Sequence, residues 1–260
     1  MNDESAPPSP AIQVLFTPTE FAGLAGQDLS RTVCVVFDVL RATSTALTAL
    51  ANGASGIVPV AEIQEALAWR ERVPDVLLAG ERNGVRITGG IALGTEFDLG
   101  NSPTEFTPEK VQGKMIVMTT TNGTRALRAC AHAKRIWLGS FLNLGALATV
   151  LRREPPTALL VVCSGTYEEA SFEDTLGAGA LCDRLWPDYF GQRVSDSAQV
   201  AREVYQRWKN DLIGAMALAR NGRRLLEHPE LSGDVAFFLQ EDRFNLVAAL
   251  CVDGVVRRQG

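Results

Sequence analysis

Histidine is scarce in this chain of 260 residues: only His132 and His228 occur. That excludes a histidine-rich dinuclear metal site. Any metal must be held mainly by oxygen, which selects Mg²⁺, Mn²⁺ or Ca²⁺. Long apolar runs are also missing, and none approaches the ~18 residues needed to span a bilayer. The opening stretch, MNDESAPPSPA, lacks the basic start and apolar core of a signal peptide. It reads as a disordered tail over residues 1–10, with the cytoplasm as the expected location. The five cysteines, Cys34, Cys130, Cys163, Cys182 and Cys251, include no C-x-x-C pair, and their odd number argues against a fully paired disulfide framework. Basic residues are outnumbered, 25 against 30 acidic for a net charge of −5. A nucleic acid or an anionic membrane is therefore not expected as the main partner. Oligomeric state is not legible, and a homo-oligomer stays open.

What the chain does have is core-forming material, with 46% hydrophobic and 21% charged residues. Short β-branched runs at 12–16, 33–37, 56–60, 76–79, 115–119, 135–139 and 158–163 read as strands. Helical spacing falls between them, in TSTALTALAN, AEIQEALAWRERV, GTRALRACAH and NLGALATVLRR. The strands are apolar throughout rather than alternating, as when both faces of a sheet are covered. This predicts a three-layer α/β/α sandwich on a mostly parallel or mixed sheet, with residues 11–260 as one domain. From about Ser171 the pattern turns helical, through FEDTLGAGALCDRL and AQVAREVYQRWKNDLIGAMALAR. VAALCVDGVVRR then reads as a closing hairpin turning at Asp253-Gly254.

An internal repeat is suggested at an offset of 80. Ala46-Leu47 aligns with Ala126-Leu127, Ala66-Leu67-Ala68 with Ala146-Leu147-Ala148, and Val35–Phe37 with Met115–Val117. Two explanations stand: two repeated βαβαβ halves, or chance coincidence of two Ala/Leu-rich helices.

Several apolar strands end in polar clusters. DVLRATST follows the second strand, with Asp38, Arg41, Thr43 and Ser44. GERNG follows the fourth with Glu81 and Arg82, TTTNGTR follows MIVM, and CSGT follows ALLVV. Ligands of open α/β sheets bind beyond the carboxyl ends of the strands, so these segments are expected to converge. In TTTNGT, Thr119, Thr120 and Thr121 carry the chain off the sheet, and Gly123 admits close backbone approach. The following helix and Thr124 add donors, which together suit an anion. A plain N-cap by Thr121 or Asn122 explains one polar residue but not six. No lysine follows the glycine, so this is not a P-loop.

Carboxylates supply the other half of the pattern: Asp38, Glu81, Glu173 and Asp174. Phosphate binds poorly beside bare carboxylates, so a divalent cation held by these four is expected, Mg²⁺ needing only one or two of them directly. For Glu173-Asp174 the alternative is favourable charge at a helix start. Arg41 and Arg82 can fork hydrogen bonds to phosphate or a second acid, or pair with Asp38 and Glu81 themselves. Two phosphatase chemistries fail on spacing. Six residues after Cys163 stands Glu169 rather than an arginine, and Leu40 stands where an aspartyl-phosphate enzyme has a second aspartate.

Taken in order, FDVLRATST, GERNG, FDLGNSP, MTTTNGTRAL, GSFLN and CSGT…SFEDTLGAGAL resemble the signature segments of the 2-phosphosulfolactate phosphatases, the ComB-like family. The resemblance runs from about Val33 to the C-terminus. It implies an α/β/α fold and Mg²⁺-dependent removal of phosphate from 2-phosphosulfolactate, giving sulfolactate, a step of coenzyme M or sulfolactate metabolism. Motif residues fall on Asp38, Arg41, Thr43, Glu81, Arg82, Asn101, Ser102, Thr119 to Thr121, Asn122, Gly123, Ser164, Gly165, Thr166, Glu173 and Asp174. The chain departs from the pattern by GIALGTE inserted at 90–96, by Glu169 in place of a glycine and by Gly177 in place of a cysteine.

The expected reaction is metal-assisted attack of water on a small anionic phosphorylated substrate. Asp38, Glu81, Glu173 and Asp174 hold the metal or orient the water, with Arg41 among the catalytic groups. The rival readings are a binding protein for such an anion and a phosphotransferase.

Overall fold

The computed structural model describes residues 11–82, 84–90, 92, 94–189 and 194–260. The expected tail (1–10) and two residues of the 90–96 insertion lie outside the described residues. In chain order the elements are β1 (Ile12–Leu15), α1 (Pro18–Ala22), β2 (Thr32–Phe37), α2 (Ala42–Ala51), β3 (Gly56–Val60), α3 (Ile63–Arg72) and β4 (Leu77–Arg82). Then follow β5 (Val85–Arg86), α4 (Pro108–Val111), β6 (Met115–Thr119), α5 (Gly123–Ala129), β7 (Arg135–Gly139), α6 (Leu144–Arg153) and β8 (Ala158–Cys163). The last part holds α7 (Phe172–Tyr189), α8 (Asp196–Trp208), α9 (Leu212–Leu218), α10 (Arg220–Leu226), α11 (Ser232–Phe238), β9 (Val247–Leu250) and β10 (Val256–Gln259).

The strands form one ten-stranded sheet in the order β1-β8-β2-β7-β9-β10-β3-β6-β4-β5. Both faces are covered, as the unbroken apolar runs require. Val33, Val35 and Phe37 of β2 pack with α6 and α7, while Cys34 and Val36 pack with α2 and α5 on the other face. The alternation of one strand between two cores is the physical basis of the three layers.

The sheet is mixed in an ordered way. β8, β2 and β7 form one parallel block, and β3, β6 and β4 form a second. The C-terminal hairpin sits between them and pairs antiparallel on each side, so the two blocks run in opposite directions. The hairpin is present as expected, with Gly254 at φ +80° in its turn. It lies at the centre of the sheet, where both strands are covered.

The order also bears on the repeat. The units β2-α2-β3-α3-β4 and β6-α5-β7-α6-β8 have the same element order, and exchanging them reverses the order of their own six strands in the sheet, β8-β2-β7 on one side of the hairpin and β3-β6-β4 on the other. Chance likeness of two helices does not account for that.

Two boundaries differ from the sequence reading. The helical stretch 198–220 is broken after Trp208, because Asp211 accepts the Gly214 N–H at 2.9 Å and starts a new helix. β4 runs past residue 79, because Glu81 and Arg82 pair with Arg86 and Val85 in a short hairpin. These two polar residues therefore stand on the strand rather than beyond it.

Candidate active site

A cleft of about 410 Å³ gathers strand ends from both blocks. Asp38 and Arg41 come from the segment after β2, Glu62 from after β3, Glu81 and Arg82 from the end of β4. Thr120, Thr121 and Asn122 follow β6, Thr166 and Tyr167 follow β8, and Asn221 and Arg224 come from α10. The blocks touch directly here. A methyl group on Gly123 would lie 2.8 Å from Ala42 Cβ and 2.9 Å from Asp38 Oδ2. Glycine is thus needed at 123 so that the loop after β6 can reach Asp38.

Asp38 is buried, with its Oδ1 accepting the Ala42 N–H at 3.0 Å. Burial pushes its pKa up to about 6, helped by Glu173 and Glu81 and opposed by the Ala42 bond. Glu173 and Asp174, in the first turn of α7, lie behind the cleft rather than on its wall. Asp174 accepts the Val39 N–H at 2.8 Å and the Gly165 N–H at 3.1 Å, bracing the loops after β2 and β8 together. Glu173 accepts from Asn221 Nδ2 at 2.6 Å. Burial raises both carboxyls, with Asp38 and Glu173 adding repulsion at Asp174 and the Asn221 bond opposing at Glu173. Glu81 is half-buried and accepts the Gly84 N–H at 2.6 Å. Asp38 and Glu81 are therefore the two expected carboxylates on the cleft wall.

The arginines do not pair with Asp38 and Glu81. Arg41 pairs instead with Asp234 of α11 at 3.2 Å and donates to the Gly84 carbonyl at 2.8 Å. Arg82 donates to the carbonyl of Glu81 at 2.8 Å and to Thr119 Oγ1 at 3.1 Å, both neutral acceptors.

The polar residues of TTTNGT divide in two. Thr120, Thr121 and Asn122 line the cleft. Thr119 is buried, donating to the Ala61 carbonyl at 3.0 Å while it positions Arg82, and Thr124 donates to the Val60 carbonyl at 3.2 Å. Asn122 precedes α5 but makes no side-chain cap, and its Oδ1 has no hydrogen-bond partner among the described residues. The simple capping explanation does not hold. α5 itself is short, with seven residues.

Other expected residues have structural partners. Thr43 donates to the Gly139 carbonyl at 2.7 Å, and Ser102 to Asp234 at 2.7 Å. Gly165, at φ +67°, turns the chain so that Thr166 reaches the cleft. Asn101 Oδ1 and Ser164 Oγ are buried without partners among the described residues, and Asn101 also lines the cleft. Sequence reasoning missed Asn221, Arg224 and Asp234. All three lie in the helical C-terminal region, where no strand end marks a polar residue as functional.

These features describe one polar cleft lined by carboxylates, arginines, hydroxyls and amides, built on a mixed α/β sheet. The sequence model of the 2-phosphosulpholactate phosphatase family matches residues 21–252, and the chain belongs to that family. A protein of Caldanaerobacter subterraneus subsp. tengcongensis named "Probable 2-phosphosulfolactate phosphatase" is 38% identical over 245 residues, covering 94% of this chain and 97% of its own. Proteins of the same name from Thermotoga petrophila and Pseudothermotoga lettingae are 42% and 36% identical, covering 85% and 95% of this chain and 89% and 99% of their own. Among the described residues no helix is long and apolar enough to cross a membrane.

Proposed function

We propose that this protein is a Mg²⁺-dependent phosphomonoesterase that releases phosphate from 2-phosphosulfolactate. The observation that carries the reading is the meeting, in one cleft, of Asp38 and Glu81 with Arg82 and the Thr120–Asn122 loop. Family membership and the names of the relatives give the substrate.

The donor set suits Mg²⁺. Among the described residues no three His, Cys, Asp or Glu side chains are grouped to hold an ion by themselves. Mg²⁺ does not require such a cage, because one or two carboxylates suffice when water and substrate oxygens complete its shell. Asp38 and Glu81 would hold it: burial, with added repulsion from Glu173 and Glu81, raises the Asp38 pKa, and a bound cation would offset that cost of ionisation. When bound, the ion supplies charge neutralisation to the phosphoryl oxygens.

The chain's own groups do the rest. Arg82, which makes no ion pair among the described residues, would face the substrate, while Thr120 and Asn122 offer hydrogen bonds to the transferring group. The Asp38 or Glu81 oxygen left over accepts a proton from the attacking water and orients it. Arg41, its charge met by Asp234, stiffens the wall on which Glu81 stands. Cys163 has no part in this reading: it is buried, and burial together with Asp174 holds its thiol well above the ordinary range.

The test is phosphate release from 2-phosphosulfolactate by the purified protein, with Mg²⁺ and with excess chelator. Release that depends on Mg²⁺ is expected. Thermal stabilisation by the compound without release would mark a binding protein instead.

A further inference from the structure

The three guanidinium groups of the cleft are not equivalent. Arg41 is neutralised by Asp234, and Arg82 is held by neutral acceptors near the threonine loop. Arg224 is exposed on α10 and makes no ion pair among the described residues. Its place is nevertheless defined. A methyl group on Gly84 would lie 2.7, 3.4 and 3.5 Å from its Nη2, Cζ and Nε, so the guanidinium lies beside that glycine.

Gly84, at φ +82°, ties the whole wall together. Its N–H donates to Glu81 at 2.6 Å, its carbonyl accepts from Arg41 at 2.8 Å, and its open face receives Arg224. Asn221, one turn earlier on α10, donates to Glu173 Oε1 at 2.6 Å and to Thr166 Oγ1 at 2.7 Å. The helix that carries Arg224 is thus anchored to both sides of the cleft.

Building on the phosphatase reading, we propose that Arg224 binds an acidic group of the substrate other than the phosphoryl group being transferred. Arg82 and the threonine loop already serve the phosphoryl group from other elements. An unpaired planar fork on the cleft wall matches the paired oxygens of a second acid. Solvent screens this contact, so its effect is specificity of about tenfold rather than loss of catalysis.

The experiment compares wild type, Arg224→Gln, Arg224→Lys and Arg223→Gln on two esters with Mg²⁺: 2-phosphosulfolactate, and the phosphate of a three-carbon alcohol with no other acid. Arg223, whose guanidinium donates to the Leu218 carbonyl at 2.6 Å, does not line the cleft and serves as the charge control. Arg224→Gln is expected to lower the preference for the acidic ester, measured as the ratio of kcat/KM values, by about tenfold, mainly through KM. Arg224→Lys should recover part of that preference, and Arg223→Gln should match wild type. Equal losses on both esters, or no loss on 2-phosphosulfolactate, would overturn the assignment. If wild type turns over neither ester, the phosphatase reading fails separately. Calorimetric binding of 2-phosphosulfolactate still tests Arg224, and an unchanged Kd in Arg224→Gln would overturn its role.

Discussion

Asp38→Asn should stabilise the metal-free protein while it removes activity. The Asp38 pKa rises from an ordinary 3.8 to about 6 in the folded state, chiefly because the carboxyl is buried. At ~1.36 kcal/mol for each pKa unit, ionised Asp38 costs the fold about 3 kcal/mol. The sign follows from the two values. Below 3.8 the group is protonated in both folded and unfolded chains and exacts nothing. Between 3.8 and about 6 the folded protein binds more protons than the unfolded one, so stability falls as pH rises. Above that window the full cost applies. Asparagine retains an oxygen for the Ala42 N–H and never ionises. In chelator at pH 7.5, Asp38→Asn is therefore expected to melt roughly 5–10 °C above wild type, and this advantage should vanish near pH 3.5. Adding Mg²⁺ should raise the melting temperature of wild type but not of the variant. Thermal scans at both pH values, with and without Mg²⁺, make the measurement. A variant no more stable than wild type at pH 7.5, or an advantage independent of pH, would refute the reasoning.

Gly123→Ala places a methyl group 2.9 Å from Asp38 Oδ2 and 2.8 Å from Ala42 Cβ. Turnover should fall by about a hundredfold as Asp38 is displaced, while overpacking costs about 1–3 kcal/mol; a folded variant with wild-type kcat would show that the close approach is not needed. Cys163→Ser should keep most of the turnover, because the residue ends a buried strand and does not line the cleft. Complete loss of rate in a folded Cys163→Ser protein would restore the thiol as a nucleophile.

Much of the site was legible because a strand that ends in the core must announce its exit. Asp38, Glu81, Arg82 and Thr120–Asn122 were visible as polar residues at the close of apolar runs, and all of them line the cleft. What the residue types did not disclose was direction. Thr43 and Thr124 turn inward to backbone carbonyls, and Asp174 spends both oxygens on backbone N–H groups. A polar residue beside a site can serve the ligand or satisfy a buried N–H or C=O, and the pattern is the same for both. Asp234, Asn221 and Arg224 were illegible for another reason. They reach the cleft only through tertiary packing of α10 and α11, whose own periodicity records burial and not chemistry.

The sheet explains why the cleft needs the whole chain. Each βαβαβ unit gives its first strand to one parallel block and its second and third to the other: β2 lies between β7 and β8, and β6 lies between β3 and β4. Neither unit can complete a block alone, because its first strand would lack both neighbours and leave two rows of backbone groups unpaired. The same interleaving brings the segments after β2 and β6, the corresponding first strands, into contact through Ala42, Asp38 and Gly123. Asp38 and the Thr120–Asn122 loop thus lie in corresponding segments of two similar units, one carrying a carboxylate and the other threonines and asparagine. The cleft therefore carries a carboxylate from one unit and hydroxyl and amide groups from the other, although the two units share one element order.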